Sequence, residues 1–157
     1  MEITDTRSEY EKIESAYEEW MQSEGIPIFE TAAAVDDVAE LPRSPWARMG
    51  GSGTFIQLNG PRQADRGCYV VEIPGGGALN PEKHLYDEVV YILEGRGITE
   101  LWQEGEQKRS FEWGPGSIFA LPINTMHRLV NGSAQPALIL AFTRAPRLLK
   151  LFNNTEF

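Results

Sequence analysis

From Gly50 onward, glycines and prolines cut the chain into short runs rich in β-branched and aromatic residues, the punctuation of all-β sandwiches and barrels. Eight such runs read as strands: 53–58, 68–73, 88–93, 98–103, 109–113, 117–121, 127–130 and 137–143. Eight short strands suit a closed double-sheet jelly roll. Pairs such as Gly95 with Gly97, and Gly114 with Gly116, supply the corners between them.

The first part of the chain has a different texture. From Thr6 to about Ser23, Tyr10, Ile13, Tyr17, Trp20 and Met21 fall at helical spacing, with glutamates on the opposite face. Thr6 with Glu9 three residues later reads as a capping box, and Gly25 followed by Pro27 marks the stop. The expected organisation is an acidic N-terminal amphipathic helix and extended arm over 1–40, a barrel over 41–145 and an apolar tail over 146–157. Pro146 closes the last strand, and the tail carries Leu148, Leu149, Leu151 and Phe152 as a short helix or extended segment. Such a tail needs a cover, so a homodimer or a second barrel is the expected partner.

Charge excludes one class of ligand. Residues 1–40 hold 12 acidic and 2 basic side chains, whereas the rest of the chain is nearly balanced, at 11 and 12. The acidity belongs to the N-terminal appendage, and no basic stripe interleaved with aromatics is present, so nucleic acid is not an expected partner. Cys68 is the one cysteine, which rules out an internal disulfide. With no basic-apolar leader and no apolar run long enough to span a bilayer, a soluble cytoplasmic protein is expected.

The chain has two histidines, His84 and His127. Side chains two apart on a strand share a face. Counting back from Val90 and Ile92 puts Glu88, Tyr86, His84 and Glu82 inward, while Asp87 and Lys83 point away. By the same count, His127 shares its face with Leu129 and Asn131, and Arg128 points out of the barrel.

These residues carry a resemblance to the cupin family. Its first motif runs from a glycine to His-x-His, a glutamate and a second glycine; here stand Gly77, Glu82 in place of the first histidine, His84, Glu88 and Gly95. Its second motif runs from a glycine to Pro-x-Gly, a histidine and an asparagine; here stand Gly116, Pro122, Asn124 where glycine is usual, His127 and Asn131. The resemblance implies a double-stranded β-helix, the cupin jelly-roll barrel. The whole chain also resembles the N-terminal half of bacterial two-barrel cupins, which supplies no activity.

In metal-dependent cupins the two histidines and the glutamate of the first motif join the histidine of the second around one divalent metal. Carried over, the resemblance names His84, Glu88 and His127, with Glu82 in the remaining place. If Glu82 reaches the metal, two imidazoles and two carboxylates make an oxygen-rich shell that favours iron or manganese over copper. If Glu82 lies in a wet surface loop, His84, His127 and Glu88 form the two-histidine, one-carboxylate face suited to non-haem Fe(II) and dioxygen. Either arrangement leaves positions for substrate, and an ion relieves the cost of burying Glu88 in an apolar barrel. Fe(II) leads, ahead of Mn(II), Ni(II) and Zn(II).

The family implies an enzyme acting on a small organic substrate, led by an Fe(II)-dependent dioxygenase. A Mn(II)-type isomerase, decarboxylase or lyase is the non-oxidative alternative, and a non-catalytic small-molecule-binding module is the third reading. Tyr86, sharing parity with His84 and Glu88, is the candidate for orienting substrate. Tyr69, Tyr91, Trp102, Trp113 and Phe119 are candidate pocket walls. Asn124 is expected to take the left-handed conformation usually left to glycine, Asn131 to tie a turn, and Cys68 to be an inert buried residue.

Overall fold

The computed structural model describes residues 9–31, 33–58, 66–152 and 154–156, with backbone only for 9–15. The expected cap at Thr6 and the side chains of Tyr10 and Ile13 lie outside what is described. Helix α1 spans Glu9–Ser23 and helix α2 Ala145–Phe152. Between them run β1 (Ile28–Thr31), β2 (Ser44–Trp46), β3 (Gly51–Leu58), β4 (Gly67–Ile73), β5 (Glu88–Glu94), β6 (Gly97–Trp102), β7 (Arg109–Trp113), β8 (Ile118–Leu121), β9 (Met126–Asn131) and β10 (Ala137–Thr143). All eight expected strands are present. The two further strands, β1 and β2, are only four and three residues long and sit beside prolines, too short to leave a periodic trace.

One sheet has the order β1-β3-β4-β10-β5-β8, with β2 also on β3, and the other the order β7-β6-β9. β1 pairs with β3 in parallel, so the arm after α1 is part of the larger sheet; the neighbouring pairs are antiparallel. Isolated bridges join Ala78 to Val130 and Glu82 to His127, which lays the segment after Gly77 along the free edge of β9. At Gly97 the sheet leaves no room for a side chain: a Cβ there would overlap the Val130 carbonyl oxygen and sit 2.6 Å from the Trp113 ring.

Alternation puts the core between the sheets. Along β5, Glu88, Val90 and Ile92 are buried while Val89 and Tyr91 are exposed; along β9, His127, Leu129 and Asn131 are buried. Trp46, Phe55, Ile73, Ile92 and Ile139 fill the interior; burying a side chain of this kind stabilises the fold by about 1.5–3 kcal/mol. The apolar tail is a helix. Its inner residue Leu149 is buried in the same cluster as Tyr17 and Met21 of α1, which covers that face, while Leu151 and Phe152 stay exposed. None of the described helices is long and apolar enough to cross a membrane.

Candidate metal centre

Two backbone carbonyls set the histidines. His84 Nδ1 lies 2.7 Å from the Tyr86 carbonyl oxygen, and His127 Nδ1 lies 3.1 Å from that of Thr125. A carbonyl only accepts, so each Nδ1 carries the proton and each Nε2 presents a bare lone pair. The two rings meet edge to face with centroids 4.9 Å apart. Both are buried, and His84 Nε2 has no hydrogen-bond partner among the described residues. A buried acceptor left unsatisfied is costly unless something electron-poor faces it.

Glu82 completes a compact group. Its backbone N–H donates to the His127 carbonyl at 3.0 Å and its carbonyl accepts from His127 N at 2.9 Å, so the two form a cross-strand pair with side chains on one face. Glu82, His84 and His127 each offer a ligand atom, all within 4.8 Å of one another. Such a Glu/His/His cluster can hold a metal ion. The alternative of a wet surface loop for Glu82 does not describe its side chain, which is 16% exposed and bound to Arg48.

Glu88, which the resemblance names as a ligand, is not one of these three but borders the same cavity as Glu82 and His127. It is 4% exposed, accepts a hydrogen bond from the Tyr69 hydroxyl at 3.0 Å and another from Thr143, and places Oε2 3.8 Å from His84 Nε2. Asp87, as its parity requires, faces outward and pairs loosely with Arg144 at 3.7 Å.

The electrostatics suit a cation. Burial and the neighbouring His127 push His84 down to about 4, and burial also lowers His127, so both imidazoles are neutral donors near neutral pH. Burial and the charge of Glu82 push Glu88 up to about 7, against the lowering effect of its hydrogen bonds. Burial raises Glu82 as well, with Arg48 opposing the shift. Two carboxylates that resist ionising together, beside neutral imidazoles with bare nitrogens, are what a bound divalent ion would compensate.

The space is small. The barrel cavity touching Tyr69, Glu82, Glu88 and His127 has a volume of about 20 Å³, room for about one water molecule. Leu79, Leu121 and Ile139 fill the rest, so a larger substrate needs these side chains to move. A separate cleft of about 180 Å³ lies outside, between Trp20, Arg48, Lys83, Tyr86 and Leu149, and it reaches His84.

Tyr86 lines that outer cleft and its ring stacks on His84, centroids 3.9 Å apart and 6° from parallel. Its strand parity is as expected, but it lies against the back of the His84 ring instead of in the barrel cavity. Among the other candidate walls, Tyr69 reaches the cavity, Trp113 is core, Tyr91 is exposed, Phe119 packs on Phe111 and Trp102 lies under Lys108. Arg128 pairs with Glu100 at 2.7 Å. Burial raises Cys68 to about 12, which leaves it an inert thiol. Asn124 has φ +54°, and Asn131 donates to the carbonyls of Ile73, Pro74 and Gln135.

Sequence reasoning missed Arg48 and Thr143. No local pattern marks either: Arg48 lies on the turn between β2 and β3, and its ion-pair partners are more than twenty residues away.

Residues 69–143 match the family model described as Cupin domain. An auxin-binding protein of Nicotiana tabacum is 25% identical over 122 residues, which is 73% of this chain and 61% of that protein. The chain thus spans about three fifths of the length of that curated relative. Among solved structures, an oxalate decarboxylase of Lactobacillus farciminis in a formate complex superposes with a TM-score of 0.57 at 20% identity, covering 69% of this chain and 32% of that one. The Cnp3 cupin domain of Schizosaccharomyces pombe gives 0.56 at 11% identity, covering 68% and 66%. At such identities the structural likenesses speak for the fold alone.

Proposed function

This chain is a member of the cupin superfamily, and we propose that it is a metal-dependent enzyme of the Fe(II) dioxygenase type, acting on a small organic substrate. The observation that carries the proposal is the buried, unpartnered Nε2 of His84, grouped with Glu82 and His127 within 4.8 Å. Two imidazoles and a carboxylate form the donor face suited to non-haem Fe(II), which if bound would supply open positions for substrate and dioxygen and relay electrons from the substrate to the oxygen.

The chain's own residues do the rest. The carbonyls of Tyr86 and Thr125 hold both imidazoles in the tautomer that presents Nε2. Tyr86 backs the His84 ring and restricts its rotation. Tyr69 and Thr143 fix Glu88, whose carboxyl is pushed up to about 7 and can hold or release a proton at the oxygen facing the site. The apolar side chains around the small cavity keep bulk water out.

A non-oxidative Mn(II)-type isomerase, decarboxylase or lyase is favoured by one specific observation: Glu88 adds a second buried carboxylate 3.8 Å from His84, making the site oxygen-rich. Metal analysis of protein purified without chelator, followed by oxygen uptake with catechols, diketones and hydroxy acids, separates the readings. Stoichiometric iron with substrate-dependent oxygen uptake supports the dioxygenase. Metal without oxygen uptake transfers support to Lewis-acid chemistry. Protein that neither carries nor accepts a metal is a non-catalytic binding module.

A further inference from the structure

Arg48 is held by several neighbours although its side chain is 34% exposed. Its Nε donates to Glu24 at 2.6 Å and its Nη1 donates to Glu82. Its guanidinium lies over the rings of Trp20, at 5.2 Å, and Trp46, at 5.1 Å. The backbone that carries it is tied down as well, because Asn80 donates to the carbonyls of Ala47 and Arg48. Glu24, which ends the α1 region, also accepts from the indole N–H of Trp46. One cation therefore bridges a carboxylate beside the helix to a carboxylate of the candidate metal group. Arginine suits this bridge because its planar fork offers several donors at once.

A carboxylate has two oxygens, so Glu82 can give one to Arg48 and keep the other for an ion. An ion that fixes Glu82 also fixes one side of the bridge, which lowers the entropy cost of holding Arg48 against Trp20 and Glu24. By linkage the converse holds: a docked helix presents Glu82 ready-placed to the ion. We propose that Arg48 is a positioning residue of the metal centre, holding Glu82 toward His84 and His127 and coupling metal occupancy to the docking of α1 on the barrel. The proposal rests on the metal-site reading, but not on the type of reaction.

The test is a double-mutant cycle on Co(II) and Mn(II) affinity by calorimetry, using wild type, Arg48→Met, Glu82→Gln and the double variant, with amide exchange of residues 16–23 as a second readout. Arg48→Met is expected to weaken the metal by about tenfold, and to have no further effect once Glu82 is Gln. Metal should slow exchange in α1 of the wild type but not of Arg48→Met. Glu24→Gln should keep metal affinity within about threefold of wild type while losing the helix response. If Arg48→Met does not fold, Arg48→Lys, which keeps one cation but severs the two-carboxylate bridge, takes its place in the cycle. Losses that add in the double variant, or an α1 whose exchange ignores metal, overturn the proposal. Wild type that binds no metal overturns instead the reading beneath it.

Discussion

Asn124 donates its backbone N–H to the carbonyl oxygen of His84 at 2.7 Å, so the segment carrying one candidate ligand is pinned to the turn that orients the other. Three residues on, His127 Nδ1 meets the carbonyl of Thr125, whose direction depends on Asn124 holding φ +54°. A β-branched residue is strained there, by about 1–2 kcal/mol. Asn124→Val should therefore lose about that much stability and bind metal more weakly, while Asn124→Gly should match wild type. Urea denaturation and metal titration check both; an Asn124→Val protein with unaltered metal affinity would mean the turn does not set the His127 ring.

The register of the segment before β5 makes a sharper forecast. His84 is buried with its Nε2 in the site, whereas Asp87 has half its side chain exposed and a long pair with Arg144. His84→Ala should abolish metal occupancy. Asp87→Ala should leave occupancy intact and shift stability by no more than about 0.5 kcal/mol, as expected for a surface ion pair. Elemental analysis of the two purified variants decides it.

Alternation made these faces legible from sequence. Over residues 82–90 the inward positions are Glu82, His84, Tyr86, Glu88 and Val90, as a period of two requires, even though this stretch before β5 is irregular. Parity gives the face of a side chain but not its rotamer. Tyr86 accordingly lies on the expected side yet stacks on His84. Pairings distant in sequence leave no periodic trace at all, which is why Arg48, joined to Glu24 and Glu82, stayed hidden. The parallel pairing of β1 with β3 was hidden as well, its four residues being too few to show a period.

Tyr69 is the pocket candidate that touches the site. Its hydroxyl donates to Glu88 at 3.0 Å from a buried position, and burial together with the Glu88 charge raises it far above the usual tyrosine range, so it stays a donor. Tyr69→Phe leaves Glu88 with Thr143 alone among these two donors and should weaken metal binding by about tenfold, the scale of a lost supporting hydrogen bond. Glu88→Gln should weaken it further. Mn(II) titration of both variants is the measurement, and equal affinities for Tyr69→Phe and wild type would show that Glu88 needs no orienting partner.

The metal-free protein should carry opposed pH dependences, raised carboxyls against lowered imidazoles, with Glu88 and His84 the largest of each kind. Glu88 rises from its ordinary 4.5 to about 7, so the folded state holds a proton that the unfolded chain releases; the stability this contributes is complete below 4.5 and is lost as pH climbs through about 7. His84 falls from 6.5 to about 4, so its contribution is complete above 6.5 and is lost as pH drops through about 4. Between these limits the two slopes offset each other. Replacing Glu88 by Gln removes the first and keeps the like-signed contribution of Glu82, so the stability of that variant should rise from pH 4.5 to 6.5 more steeply than that of wild type and should decline less near pH 7. Urea denaturation in chelator at pH 5, 6, 7 and 8 reads the difference. A Glu88→Gln profile parallel to wild type would mean that Glu88 is already ionised in the folded chain, and that an ion binding there displaces no proton.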